Sequence, residues 1–225
     1  VWGKRTFLHF SIRRFECPDC GLRFTEELTS IGWRRRQTYR FEQEVYQGLT
    51  DFPKHLSSKY FYDAKGDKLF QEIMKLPEYY LTNSELEILQ AHKEAITGHF
   101  SNEGKTFNLI ELGAGDGTKT RILLNHLQEN KISFQYLPID ISSSVLEELT
   151  SGLKSEFPGL AVSPVQGTYF ESLQEICSLE HKRKIILFLG SNIGNLLHPQ
   201  AVNFLVQVQE LMTGNDLFLV GFDQK

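Results

Sequence analysis

The residues of this chain best placed to do chemistry sit in two short stretches. One is ELGAGDGTKT, residues 111 to 120, and the other is the aspartate that closes SFQYLPID, Asp140. The first follows an apolar run and opens a helical pattern, with Gly113, Gly115 and Gly117 behind Glu111. Glycine has no Cβ, so a ligand can approach such a loop closely. Spacing then separates the candidate ligands. A phosphate-cradling P-loop requires GxxxxGK[ST], but Thr118 stands five places after Gly113, and the lysine follows that threonine. The dinucleotide fingerprint GxGxxG is weakened by the same Thr118, which occupies the place of a third small residue.

What remains is an acidic residue followed by GxGxG, the arrangement of S-adenosylmethionine enzymes built on a parallel sheet. No phosphate has to be bound there. The glycines let the loop wrap the amino-acid and ribose parts of a ligand, and a carboxylate ending the next strand accepts both ribose hydroxyls. Asp140 stands at that place. A tight turn and a helix-capping aspartate would account for either feature alone, but less readily for the two together.

Positioning such a loop requires alternating strands and helices, and the periodicities supply them. DKLFQEIMKL (67 to 76) and SELEILQAHKEAITGHF (84 to 100) space their apolar residues as helices do, with Ser84 expected as an N-cap and Glu87 three places on. Five short apolar runs follow: FNLIEL, SFQYLPI, LAVSPV, KIILFL and DLFLVGF. Helical patterns separate them at 119 to 130, 142 to 156 and 199 to 212. The series predicts an α/β fold, a Rossmann-like sheet behind a helical N-terminal preface, with ligands at the carboxyl ends of the strands near the switch in strand order.

At this point the resemblance becomes specific. KYFYDAKGDKLFQEIMKLPEYYLTNSELEIL, ELGAGDGTKTRILL, LPIDIS and LFLGSNIGN, in this order, resemble the histidine Nα-methyltransferases of ergothioneine biosynthesis from about residue 47 to 225. The resemblance implies S-adenosylmethionine-dependent trimethylation of the histidine α-amine to hercynine. It implies cofactor contacts from Tyr62, Gly113, Gly115, Lys119 and Asp140. In QGTYFE, where the family often has an acidic residue to receive the adenine amino group, this chain has Thr168 and Tyr169. A threonine hydroxyl or a backbone carbonyl could take that role. For the substrate the resemblance implies Tyr79, Gly190 and Asn195, the last holding the substrate carboxylate. A sulfonium methyl is already activated, so positioning and desolvation of a neutral amine carry the reaction. A tyrosine hydroxyl or water must orient the amine's lone pair, and Tyr62 is the candidate. Asn195 could instead cap the helix near Pro199.

The first 48 residues have a different character. They hold nine Lys/Arg against six Asp/Glu, or +3, while the rest carries −7 of the total −4. This places a seam near residue 48, dividing a fragment 1–48 from a methyltransferase domain 49–225. Cys17 and Cys20 in CPDCG form a zinc-knuckle-like turn, but a structural zinc needs four ligands. His9 is a weak third, and Cys177 lies in a helical pattern that suits a buried small hydrophobe. The segment resembles the end of the zinc-binding N-terminal region of insertion-sequence transposases, in which a preceding CxxC completes the site. A zinc-dependent DNA-binding module is therefore the competing reading, with WRRRQTYR engaging phosphates. Basic clusters are usually solvated surface and +3 is a modest field, so nucleic acid is not the expected partner. A small molecule, histidine or a related amino acid, is.

No apolar run approaches the ~20 residues needed to span a bilayer, and residues 1 to 16 carry four basic side chains without a signal-peptide apolar block. A cytoplasmic protein without membrane contact is expected, and three cysteines fit a reducing compartment. The chain begins at Val1 and stops at Lys225 just after an apolar run, which reads as a methyltransferase domain cut short, its substrate lobe missing and its turnover of histidine impaired.

Overall fold

The computed structural model describes residues 14–16, 23–25, 39–56, 64–100, 105–179 and 182–223. The chain divides into two units, Val1–Ser57 and Ser58–Lys225. In the first unit, strands β1 (Arg14–Glu16) and β2 (Arg23–Thr25) pair antiparallel, with Phe15 opposite Phe24, and helix α1 (Tyr39–Thr50) follows. The seam expected near residue 48 falls inside α1, whose helical bonding runs on through that position. Cys17, Cys20 and His9 lie outside the described residues. Among those described, no group of His, Cys, Asp or Glu could hold a metal ion.

The second unit opens with helices α2 (Ala64–Met74) and α3 (Leu81–Gly98), the expected preface. Ser84 does not cap α3. Its N–H already donates to the Tyr80 carbonyl at 2.9 Å, because the turn through Tyr79 and Tyr80 runs straight into the helix and Ser84 becomes part of its first turn. Strand β3 (Phe107–Leu112) leads into α4 (Thr120–Glu129), β4 (Phe134–Asp140) and α5 (Ser143–Glu156). Two short strands, β5 (Ala161–Val162) and β6 (Val165–Gln166), both lie against β4. The sequence reads them as one strand, LAVSPV. Pro164 has no N–H for the ladder, which explains the interruption. Helix α6 (Tyr169–Leu179), β7 (Lys184–Phe188), a 3₁₀ turn (Asn192–Asn195), α7 (His198–Leu211) and β8 (Leu217–Val220) complete the unit.

The strand order is β5-β4-β3-β7-β8, and every pair in this sheet is parallel. Order runs one way from β3 through β4 to β5 and the other way from β7 to β8, so the switch lies between β3 and β7. Ligands of open parallel sheets bind outside the carboxyl ends at such a switch.

Alternation along the strands explains the layers. Phe107, Leu109, Tyr136, Ile185 and Leu187 face one side and pack with Leu89 of α3, Leu123, Leu124 and Leu127 of α4, and Leu149 and Leu153 of α5. Ile110, Leu112, Leu137, Ile139, Ile186 and Phe188 face the other, against Leu173 and Ile176 of α6 and Phe204 and Val208 of α7. Strands covered on both faces read as continuous apolar runs, which is why FNLIEL is buried at all six positions. Cys177 packs against the second cluster as a small hydrophobe but is half-buried, short of the full burial its sequence context suggested. Lys184 and Asp216 form a buried ion pair at 2.9 Å, and Asp216 also accepts from the N–H groups of Lys184 and Thr213 at 2.7 Å each. Burial alone would push the Asp216 carboxyl up. The two backbone N–H groups and the ammonium outweigh it and hold the carboxyl below its ordinary value.

Candidate active site

The loop after β3 is held in shape by β4. The N–H groups of Gly113 and Ala114 both donate to the Ile139 carbonyl, at 2.8 and 3.1 Å. Asp140, one residue on, takes the Gly115 N–H on Oδ2 at 3.1 Å and the Ser142 N–H on Oδ1 at 3.0 Å. Asp140 thus ties the glycine loop to the start of α5. Gly113, Gly115 and Gly117 have φ of 74°, 55° and 68°, a left-handed conformation that glycine adopts without strain. A Cβ on Gly117 would stand 2.5 Å from Leu149 Cδ1, so that glycine serves packing. Among the described residues a Cβ on Gly115 would meet nothing within 4 Å, so this glycine faces space left open by them beside the Asp140 carboxylate.

Beneath the loop lies a buried acid. Glu111, only 3% exposed, accepts from the Thr120 hydroxyl at 2.5 Å and from the Tyr136 hydroxyl. It joins the end of β3 to the first turn of α4 and to β4. Burial pushes its carboxyl from the ordinary 4.5 to about 7, although both hydroxyl donors pull it down. The adjacent Tyr136 phenol is pushed well up, first by burial and then by Glu111.

Across the switch, β7 is followed by Leu189 and Gly190. Gly190 has φ 79°, and a Cβ there would stand 2.9 Å from Lys119 Nζ and 3.6 Å from Asn192 Nδ2. The same Asn192 Nδ2 lies 3.2 Å from where a Gly113 Cβ would be, so the ends of β3 and β7 meet at this amide. Asn192 donates to the Leu189 carbonyl at 2.8 Å. Lys119 forms an ion pair with Glu85 of α3 at 2.6 Å. Tyr169, at the start of α6, has its hydroxyl 2.9 Å from the Gly113 Cβ position and its ring edge-on to Phe188 at 5.3 Å.

The structure therefore brings together Gly113, Gly115, Lys119, Asp140, Tyr169 and Gly190 of the predicted set. Thr168 immediately precedes α6, and its hydroxyl donates to Glu171 Oε2 at 2.6 Å, which holds a carboxylate three residues after the position where the sequence lacks one. Tyr79 is half-buried, edge-on to Phe70 at 6.0 Å, and its phenol is pushed up by burial and then by the charge of Glu85. Asn195 is exposed at the end of the 3₁₀ turn and does not cap α7, where Gln200 Oε1 accepts from the Leu197 N–H at 3.1 Å. Tyr62 lies outside the described residues. Sequence reasoning missed Glu85 and Asn192, and it missed the tethering of the loop by Asp140.

A doubly wound parallel sheet, a glycine loop after its first strand and an aspartate closing the second define a Rossmann-like S-adenosylmethionine-dependent methyltransferase fold. Residues 41–225 match the family described as "Histidine-specific methyltransferase, SAM-dependent", and the chain belongs to that family. It is 36% identical over 181 residues to the histidine N-alpha-methyltransferase of Mycobacterium tuberculosis, covering 80% of this chain and 54% of that protein. It is 32% identical over 175 residues to ergothioneine biosynthesis protein 1 of Neurospora crassa, covering 77% of this chain and 20% of that protein. The chain thus spans about half the length, or less, of these curated relatives. Among solved structures it is similar to the CMeT domain of the citrinin polyketide synthase, with 15% identity, a TM-score of 0.48, and coverage of 75% of this chain and 42% of that one. Among the described residues no helix is long and apolar enough to cross a membrane.

Proposed function

We propose that this chain supplies the cofactor-binding part of an S-adenosylmethionine-dependent N-methyltransferase acting on the α-amine of histidine. The observation that carries the reading is the joint between the open Gly115 turn and the Asp140 carboxylate, at the switch point of a sheet that belongs to this family. The residues fit the cofactor. Gly115 leaves room where any side chain would project, and Asp140 can accept ribose hydroxyls while holding the loop. Lys119 offers positive charge to a carboxylate group.

When bound, the cofactor supplies an activated sulfonium methyl. The chain's part is to position and dehydrate. Asp140 and the loop hold the nucleoside end, and Tyr169, packed on Phe188 and Phe204, gives the site an apolar wall that excludes water. In this reading Tyr79, Gly190 and Asn195 serve the substrate, Tyr62 orients the amine lone pair, and Thr168 with its bound Glu171 receives the adenine amino group. Incubation with S-adenosylmethionine and histidine, followed by mass spectrometry, tests the reading. A product heavier by one to three methyl groups is expected, and methylation of other amino acids but not histidine would refute the substrate assignment.

For residues 1–48 a second reading comes from the CPDCG knuckle, a zinc-binding fragment of transposase type; the family match begins only at residue 41. Cys17 and Cys20 would be its metal ligands, but two thiolates do not make a closed four-ligand zinc site within one chain, so no tightly held zinc is expected. Metal analysis of the Cys17→Ser variant beside the parent checks this.

A further inference from the structure

Glu85 is the residue of the site that neither the sequence pattern nor the family description accounts for. It sits in the second turn of α3, where an isolated glutamate ordinarily points to water. Here its side chain is only 15% exposed and reaches the carboxyl ends of β7 and β8. Both carboxylate oxygens accept the Gly190 N–H, at 3.0 and 2.9 Å, and Oε2 accepts Lys119 Nζ at 2.6 Å. A Cβ on Gly221, just after β8, would collide with Oε1. Glycine at 221 thus leaves the space this carboxylate fills, and glycine at 190 the space of the Lys119 ammonium paired with it. Lys119 is 19% exposed, so the pair is largely withdrawn from water. Withdrawing two charges costs desolvation that their attraction often fails to repay. A pair seated at the mouth of the sheet, and not under its core, is better explained by a ligand that it matches.

We propose that Glu85 and Lys119 together form a receptor for the amino-acid end of the cofactor, Lys119 taking its carboxylate and Glu85 its ammonium. The assignment rests on the cofactor reading above and deepens it. That end of the ligand carries one charge of each sign, and the pair presents one of each within 2.6 Å of each other. An ionised carboxylate accepts about four hydrogen bonds. Among the described residues Glu85 accepts from two groups, the Gly190 N–H and the Lys119 ammonium, which leaves acceptor capacity for a third donor. Lys119 has three N–H donors and gives one to Glu85. Gly190, whose N–H anchors Glu85, shares Asn192 as a neighbour with Gly113, so the pair adjoins the glycine loop.

Three ligands separate the charges: S-adenosylhomocysteine, with the zwitterionic end; S-adenosyl-3-thiopropylamine, with the ammonium alone; and 5′-methylthioadenosine, with neither. Calorimetry on the full chain should show Glu85→Gln weakening the first two by about 10-fold or more and leaving the third unchanged, since a charge-assisted bond is lost only where an ammonium is present. Lys119→Gln should weaken S-adenosylhomocysteine alone. A Glu85→Gln variant that weakens all three equally would show that Glu85 only braces the fold, and one that weakens none would show that it is a bystander. Either result overturns the proposal. Should Glu85→Gln not fold, the parent decides: equal affinity for the propylamine and the methylthio nucleosides overturns the ammonium site, and tighter binding of the propylamine that persists in Lys119→Gln supports it. A parent that binds none of the three removes the cofactor reading itself.

Discussion

Replacing Glu111 by glutamine should change how stability depends on pH. In the folded chain burial holds the Glu111 carboxyl at about 7, against 4.5 for an ordinary glutamate. An acid whose pKa is raised on folding stabilises the fold fully below the unfolded value, and the contribution is lost as pH climbs through the folded value. Each unit of pKa is ~1.4 kcal/mol, so the interval corresponds to about 3 kcal/mol lost between roughly pH 4.5 and 7. Glutamine resembles the protonated acid in shape, and it can both donate to and accept from the hydroxyls of Thr120 and Tyr136. It cannot ionise, so the variant should lack this loss. Urea denaturation of both proteins at half-unit steps from pH 4.5 to 8 gives the difference curve, in which the titration of all other groups cancels. The variant should gain on the parent by about 3 kcal/mol across the window, with most of the change complete by pH 7. Parallel curves would refute the reasoning, and so would a parent that gains stability on the variant as pH rises.

Gly115→Ala should cost only the ~1 to 2 kcal/mol of a left-handed alanine, since no atom of the described residues opposes the new Cβ, yet it should weaken S-adenosylhomocysteine binding; melting curves with and without ligand separate the two effects. Gly117→Ala carries the same backbone strain and also presses on Leu149, so it should lower the melting temperature further than Gly115→Ala. Asp216→Asn strands the buried Lys184 ammonium and should destabilise by about 3 to 5 kcal/mol in denaturant titrations at neutral pH. Because the Asp216 carboxyl lies below its ordinary value, that difference should shrink as acid protonates the parent.

How much of this was legible depended on how local each cause is. FNLIEL ends where its strand ends, because a strand buried on both faces is a continuous apolar run and Gly113 punctuates it. Asp140 could be placed because it closes another such run, but its bond to Gly115 joins residues 25 apart and could not be read. Ser84 looked like a cap because capping chemistry is local; the turn through Tyr79 and Tyr80 supplied a different start. Glu85 was the least legible. Within its helix it is one acidic residue among several, and its partners lie 34 and 105 residues away, brought to it only when α3 packs on the sheet. Thr168 could be seen to lack a carboxylate, while the neighbouring Glu171 that it holds could not be foreseen to turn back toward it.

The central claim is that the loop at 113 to 117 and Asp140 form the cofactor site. Calorimetric titration of S-adenosylhomocysteine into the parent chain and into Asp140→Ala tests it most directly. The account predicts saturable binding by the parent at one ligand per chain, weakened in the variant by about 1.5 to 3 kcal/mol, the range for hydrogen bonds to a charged group. No binding by the parent, or the same affinity in both proteins, would contradict it.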